Sequence, residues 1–163
     1  MAANQTYTFG GFTLRPATKE HALLAEVWTK NDPEHKDKVT PEFWLQQDAC
    51  RDSYLLFDQD GPLFFFKMHL IDRDTVRIFV QFPTEATSRE FVGTPEQIRQ
   101  AQRTGERLRR GLLLGTAWLE EMLKKNGVKE IFFDSVSKSL IFFCVKRLGF
   151  VEEGEYLKKH LAA

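Results

Sequence analysis

The sequence predicts a mixed α/β fold, with a mostly antiparallel central sheet and helices on both faces. Three observations lead there. The chain has 163 residues with no internal repeat, low-complexity stretch or linker, so it reads as one domain over residues 1–163. The run Leu63-Phe64-Phe65-Phe66 is apolar without alternation, as in a strand covered on both faces, and Val128 to Phe133 reads as a further strand with its apolar residues at Ile131-Phe132-Phe133. Turn chemistry at Gln59-Asp60-Gly61-Pro62 and Asp72-Arg73-Asp74 joins strand-like segments into hairpins, while helical spacing recurs before and after them.

The elements follow in order. Tyr7 to Arg15 reads as a first strand, bent or bulged at Gly10-Gly11 and ended by Pro16. Thr18 can cap a helix running to about Thr29, with Ala22, Leu23, Val27 and Trp28 at helical spacing. Asn31 to Lys38 is polar, holds Pro33 and reads as a loop. Thr40-Pro41 sets a capping hydroxyl before a proline, so a short helix carries Phe43, Trp44 and Leu45. Strands follow at Ser53–Asp58, Leu63–Ile71 and Thr75–Phe82. Thr84 to Gly93 reads as a mobile loop. Thr94-Pro95-Glu96-Gln97 starts a helix whose composition persists to Asn126-Gly127, with a break expected near Thr104-Gly105. A strand over 128–133, a helix from Ser137 or Ser139 to Arg147, and strands after Gly149 and over Tyr156–Leu161 complete the chain.

Composition excludes several classes. Lys plus Arg and Asp plus Glu both number 23, a balance unlike that of a chain built to hold nucleic-acid phosphates. Two cysteines make no disulfide scaffold, and no Cys/His spacing suits a metal. No run of about 18 apolar residues suggests a membrane span. The N-terminus lacks the basic and apolar regions of a secretory signal, so the cytoplasm is the expected compartment. The charge is uneven: residues 1–90 hold 10 basic and 14 acidic side chains, residues 91–163 hold 13 and 9. The basic excess lies in Arg99, Arg103, Arg107, Arg109 and Arg110, which read either as an anion site or as a solvated helix face.

Two ends of the chain carry a resemblance. Phe12-Thr13-Leu14-Arg15-Pro16-Ala17-Thr18 resembles the first strand of the GNAT family, the acyl-CoA-dependent N-acetyltransferases. Lys146-Arg147-Leu148-Gly149-Phe150-Val151-Glu152-Glu153 resembles the family's closing pattern, where a helix ends at Gly-Phe and the chain re-enters the sheet. Gly149 has a local reason, since a left-handed residue after a helix costs little only for glycine. The resemblance implies acetyl-CoA or another acyl-CoA as acyl donor, and a small amine or a protein amino group as acceptor. It implies backbone contacts to the pantetheine arm from the strand Phe79, Val80, Gln81 and Phe82. It implies a pyrophosphate site near the start of the long helix, at Gly105, Arg107, Arg109, Arg110 and Gly111. A homodimer, formed through a strand edge or the 84–104 segment, is a further option.

The chain departs from the family in three places. The phosphate loop is eroded: Gln102-Arg103-Thr104-Gly105-Glu106-Arg107 has Arg107 where a small residue is wanted. Arginine side chains could replace backbone amides there, or Gly111 and Gly115 could serve close packing. About 20 residues, Thr84 to Thr104, are inserted after the strand. The tyrosine that often protonates the leaving thiolate is replaced by Val145. His69, Asp134 and Cys144 are the candidates for proton transfer, each with a structural alternative, and Cys144 also reads as a small buried apolar residue. Trp28, Phe43 and Trp44 line an acceptor pocket or pack beneath the first helix. A GNAT-like binding module without catalysis is the alternative function.

Overall fold

The structure, a computed structural model, describes residues 5–83 and 93–161. Among the described residues there are eight strands: β1 (Tyr7–Phe9), β2 (Phe12–Pro16), β3 (Arg51–Asp58), β4 (Gly61–Asp72), β5 (Thr75–Gln81), β6 (Glu130–Phe133), β7 (Val151–Glu153) and β8 (Tyr156–His160). They form one sheet in the order β1-β2-β3-β4-β5-β6-β8-β7. Every neighbouring pair is antiparallel except β5 and β6. The helices are α1 (Ala22–Lys30), α2 (Pro95–Lys125) and α3 (Lys138–Arg147). The segment expected to be a loop over 84–93 falls, for residues 84–92, outside the described residues, as does the N-terminal tetrapeptide.

The unbroken apolar run of β4 is explained by its two faces. Phe64 and Phe66, with Tyr54 and Leu56 of β3, join the core beneath α2 and α3. Phe65, with Leu55, joins a second core with Ala25 and Trp28 of α1 and Trp44. Fully burying one such side chain stabilises the fold by roughly 1.5–3 kcal/mol.

Three local expectations are corrected. The first strand is a hairpin: Gly10 and Gly11 both take positive φ, +53° and +84°, so β1 folds back on β2. A two-residue turn with both φ positive matches the twist of its strands. Tyr7 and Phe9 of β1 then lie against Trp118 of α2, with ring centroids 5.0 and 4.9 Å away. The short helix after Thr40 is a 3₁₀ turn over Pro41–Leu45, and another over Lys19–His21 precedes α1. Finally, α2 runs 31 residues without a break at Thr104-Gly105. A helical glycine costs about 1 kcal/mol against alanine. Here Arg103 and Arg107, either side of Gly105, bond Asp60 and Asp58 of the β3–β4 turn. A capping box between Thr94 and Gln97 holds the helix start.

Gly111 sets how closely α2 sits on the sheet. A Cβ there would lie 2.7 Å from Leu63 Cδ2, 3.2 Å from Phe64 and 3.3 Å from Leu56, all buried. A Cβ at Gly115 would meet nothing within 4 Å. Gly111→Ala should therefore lower stability, with about 1–3 kcal/mol of overpacking partly offset by helix propensity. Gly115→Ala should raise it by up to ~1 kcal/mol. Urea midpoints of the two variants measure both; equal effects would show that α2 can shift off the sheet.

Candidate functional site

The site begins where two strands part. Parallel pairing of β5 with β6 covers only Thr75 with Glu130, Val76 with Ile131 and Arg77 with Phe132. Beyond Arg77, β5 continues to Gln81, still paired with β4, from Met68 with Ile78 to Phe65 with Gln81. Its other edge, along Ile78 to Gln81, has no strand partner among the described residues. The chain after β6 turns away through Ser135 to Ser137 into α3, whose start Ser137 caps at Leu140 N. Arg77 Nη2 and Asp134 Oδ1, 2.9 Å apart, close the narrow end. The wedge opens into a cleft of about 1470 Å³. Ile78, Val80 and Phe82 line it together with Gly105, Leu108 and Arg109 of α2, and Ser139, Leu140 and Phe143 of α3. From the other face of the sheet, Phe79, Phe43, Trp44 and the loop residues Asp32, Glu34 and His35 line it.

The loop residues form a network that the sequence did not reveal. Gln81, fully buried at the end of β5, donates from Nε2 to Asp32 Oδ2 and to Phe82 O, both at 2.9 Å. Its Oε1 therefore faces His35 Nδ1, 2.6 Å away. Asp32 Oδ2 is 3.3 Å from the same nitrogen. Asp32 Oδ1 accepts from Glu34 N, so the loop is folded on itself. Burial acts to lower the His35 pKa, but bonding to Asp32 and Gln81 and the charges of Asp32 and Glu34 outweigh it, and the net shift is upward. Asp32 is held below the usual carboxylate range: burial works against this, but the bonds from His35, Gln81 and Glu34 prevail. The available signals were an Asp and a His three apart in a polar loop, and one amide in the apolar run Ile78 to Phe82.

A second buried polar group faces the same side. Lys67 is 1 % exposed at the centre of β4. Its Nζ donates to Phe43 O at 2.9 Å and to Gln46 Oε1, and lies 3.4 Å from the Phe43 ring centroid. It thus ties the 3₁₀ turn bearing Phe43 and Trp44 to the sheet. Burial, reinforced by the charge of Arg51 and opposed by that of Asp48, brings its pKa down to about 8.

No family model matches the chain, and no curated protein matches it. Solved structures do. A protein described as a probable GNAT-family acetyltransferase from Chromobacterium violaceum superposes with a TM-score of 0.61 at 13% identity, covering 98% of this chain and 93% of that one. The ribosomal-protein-S18-alanine N-acetyltransferase of Escherichia coli gives 0.60 at 14%, covering 93% and 95%. The ribosomal-protein-S5-alanine acetyltransferase of Vibrio fischeri gives 0.55 at 14%, covering 96% and 97%. The fold is GNAT-like.

Against this GNAT-like frame, the residues singled out from the sequence separate. Phe79, Val80 and Phe82 line the cleft, whereas the Gln81 side chain is committed to Asp32 and His35. Gly105 and Arg109 also line it, and no described residue pairs with Arg109. Arg107 is drawn away: its Nε and Nη2 bond Asp58 at 2.7 and 2.6 Å, which holds that carboxyl below its usual range. The Arg110 guanidinium lies over the Phe12 ring, and Gly111 packs on Leu63. Gly105 through Gly111 are mid-helix, where backbone N–H groups are spent on the helix itself. Phe43 and Trp44 are cleft walls; Trp28 packs edge-on against Phe65 under α1. Asp134 is at the cleft, bonded to Arg77. His69 is half-buried on β4, opposite Arg51 and Arg77, and is not a cleft wall. Cys144 is buried, which pushes its thiol up to about 12, so it stays protonated at neutral pH. Among the described residues, no group of three or more His, Cys, Asp or Glu is placed to hold a metal, and no helix is long and apolar enough to cross a membrane.

The Lys67 arrangement has a pH signature. Between pH 8 and the ordinary lysine value, the unfolded chain binds a proton at this position that the folded chain does not. This group's contribution to stability therefore rises with pH across that window. Urea midpoints from pH 7.5 to 10.5 should show this rise in the native protein relative to Lys67→Met. Parallel curves for the two proteins would mean that Lys67 titrates as an exposed lysine.

Proposed function

We propose that the chain is an acyl-CoA-dependent N-acyltransferase, moving an acetyl or related acyl group onto a small amine or a protein amino group. The observation that carries this is the wedge: β5 outruns β6, and the cleft there is walled from both faces of the sheet. An unpaired strand edge suits an arm bearing amide groups, because backbone N–H and C=O groups left without partners there can bond it. Phe79, Val80, Gln81 and Phe82 supply that backbone. Bound acyl-CoA would bring a thioester carbonyl open to attack by an amine. The diphosphate end would meet Arg109, whose guanidinium can grip phosphate oxygens in pairs. Phe43 and Trp44 wall the opposite side, where the acceptor enters. The proposed compartment is the cytoplasm.

A second reading is favoured by two specific features. The unbroken α2 leaves no free amides at Gly105 to Gly111, and among the described residues no tyrosine lines the cleft. A GNAT-like module that binds without turnover accounts for both. The Arg99 to Arg110 cluster fits nucleic acid less well, since Arg103 and Arg107 are neutralised by Asp60 and Asp58.

Acetyl-CoA at a hundredfold excess over its Kd should stabilise the protein by about 2.7 kcal/mol, raising the melting temperature by several degrees. Arg109→Glu should abolish most of that rise and leave the unliganded melting temperature nearly unchanged, since the side chain is exposed and has no ion-pair partner among the described residues. Thermal unfolding with and without acetyl-CoA reads both. No shift at millimolar acetyl-CoA in the native protein removes the transferase reading; a full shift in the variant moves the phosphate site elsewhere.

A further inference from the structure

We infer that His35 accepts the proton of the attacking amine at its Nε2, and that Gln81 is the positioning residue that fixes its tautomer for this. The inference rests on the transferase reading above.

The tautomer follows from the bond directions. Gln81 Nε2 is fixed as donor by two acceptors, Asp32 Oδ2 and Phe82 O. Gln81 Oε1 can then only accept, so the nitrogen 2.6 Å from it must carry hydrogen. The other neighbour of that nitrogen, Asp32 Oδ2, is an acceptor too. In neutral His35 the proton is thus on Nδ1, and Nε2 keeps its lone pair. Nε2 has no hydrogen-bond partner among the described residues, and His35 is a wall of the cleft. An imidazole held at one nitrogen by an acceptor and free at the other is the arrangement a general base needs. Gln81 lies at the end of the same strand whose unpaired edge forms the wedge, so base and wedge are built from one element.

The charged groups facing His35 are few. From its own loop they are Asp32 and Glu34. Trp44 of the 3₁₀ turn, 5.8 Å between centroids, and Gln81 of β5 bring no charge. Lys38, Arg77, Arg109, Asp134 and Glu155 share the cleft. In the reaction the amine nitrogen bonds to the acyl carbon, and the carbon–sulfur bond breaks with its electron pair on sulfur. One amine proton passes to His35 Nε2 and then to water; the sulfur takes a proton from water. The products are an amide and a thiol.

The test has two arms. Nitrogen-15 NMR of the imidazoles in the full chain reads tautomer and titration without turnover. His35 should show the Nδ1–H tautomer and titrate above the ordinary histidine value. Gln81→Met, which removes an acceptor, should lower that titration point; Gln81→Glu, which keeps the acceptor and adds charge, should raise it. An Nε2–H tautomer in the native protein overturns the inference even if neither variant folds, and so does a titration point unmoved by either variant. In the second arm, thiol release from acetyl-CoA is followed with n-butylamine as probe acceptor. His35→Gln should lower the rate about 10²–10⁴-fold while the melting-temperature rise with acetyl-CoA persists. An unchanged rate overturns the assignment of His35 and leaves the transferase reading standing. Absence of any acetyl-CoA stabilisation in the native protein overturns both.

Discussion

The divergence of β5 from β6 depends on what holds the far end of β5. Three register pairs bind the two strands, and a seven-residue strand beside a four-residue one has an edge left over. That edge could close only if the end of β5 swung toward α3. It is held on the other side: β4 pairs it as far as Gln81, and the Gln81 amide is bonded to the loop before the 3₁₀ turn and to its own Phe82 carbonyl. At the narrow end, Arg77 holds Asp134, so β6 stops there and the chain leaves the sheet. The cleft is open because both of its sides are tied elsewhere.

Polar groups in a phenylalanine-rich sheet make the same point in energetic terms. Burying an amide or ammonium costs several kcal/mol unless its bonds are replaced. Among the described residues Lys67 and Gln81 are the longest of the buried polar side chains, and both are satisfied by segments that wall the cleft. Lys67 pins the 3₁₀ turn, and Gln81 pins the loop before it. Apolar residues at either place would pack as well but would leave the Phe43–Trp44 turn and the His35 loop without fixed positions. Where local rules are broken and the breach is compensated, a functional reason is the expected one.

What could be read from the sequence follows from this. The covered run Leu63 to Phe66, the hairpin turns and the Gly149 stop depend on neighbours in the chain, and periodicity exposes them. Gly149 does take positive φ, +78°, at the end of α3. From sequence alone Gly10-Gly11 suits a bulge or bend as well as a two-residue turn, since these share their local chemistry and only pairing decides. The break expected at Gly105 failed because two ion pairs to residues more than 40 positions away outweigh one glycine. His35 stayed hidden for the same reason: its partner Gln81 is 46 positions distant, and the loop looks merely polar. Apolar patterns say which side chains are buried; they say little about which distant polar groups meet.

The unbroken α2 changes how an anion can be held. A loop ending in a helix offers fixed amides, with a partial charge near half a unit at the helix start. In this chain the first amides of α2 are engaged by its own Thr94 cap, and those from Gly105 to Gly111 lie within the helix. Only side chains remain, and two of the arginines have been diverted, Arg107 to Asp58 and Arg103 to Asp60. Those two pairs also tie α2, on either side of Gly105, to the end of β3 and the turn after it. The same acids that hold the long helix thus remove two guanidinium groups from the cleft mouth and leave Arg109, which lines the cleft and has no ion-pair partner among the described residues. A phosphate held by one exposed guanidinium is bound less rigidly than one cradled by amides, so more of the donor's positioning falls on the strand edge from Ile78 to Gln81. The rigidity of that edge returns to Gln81.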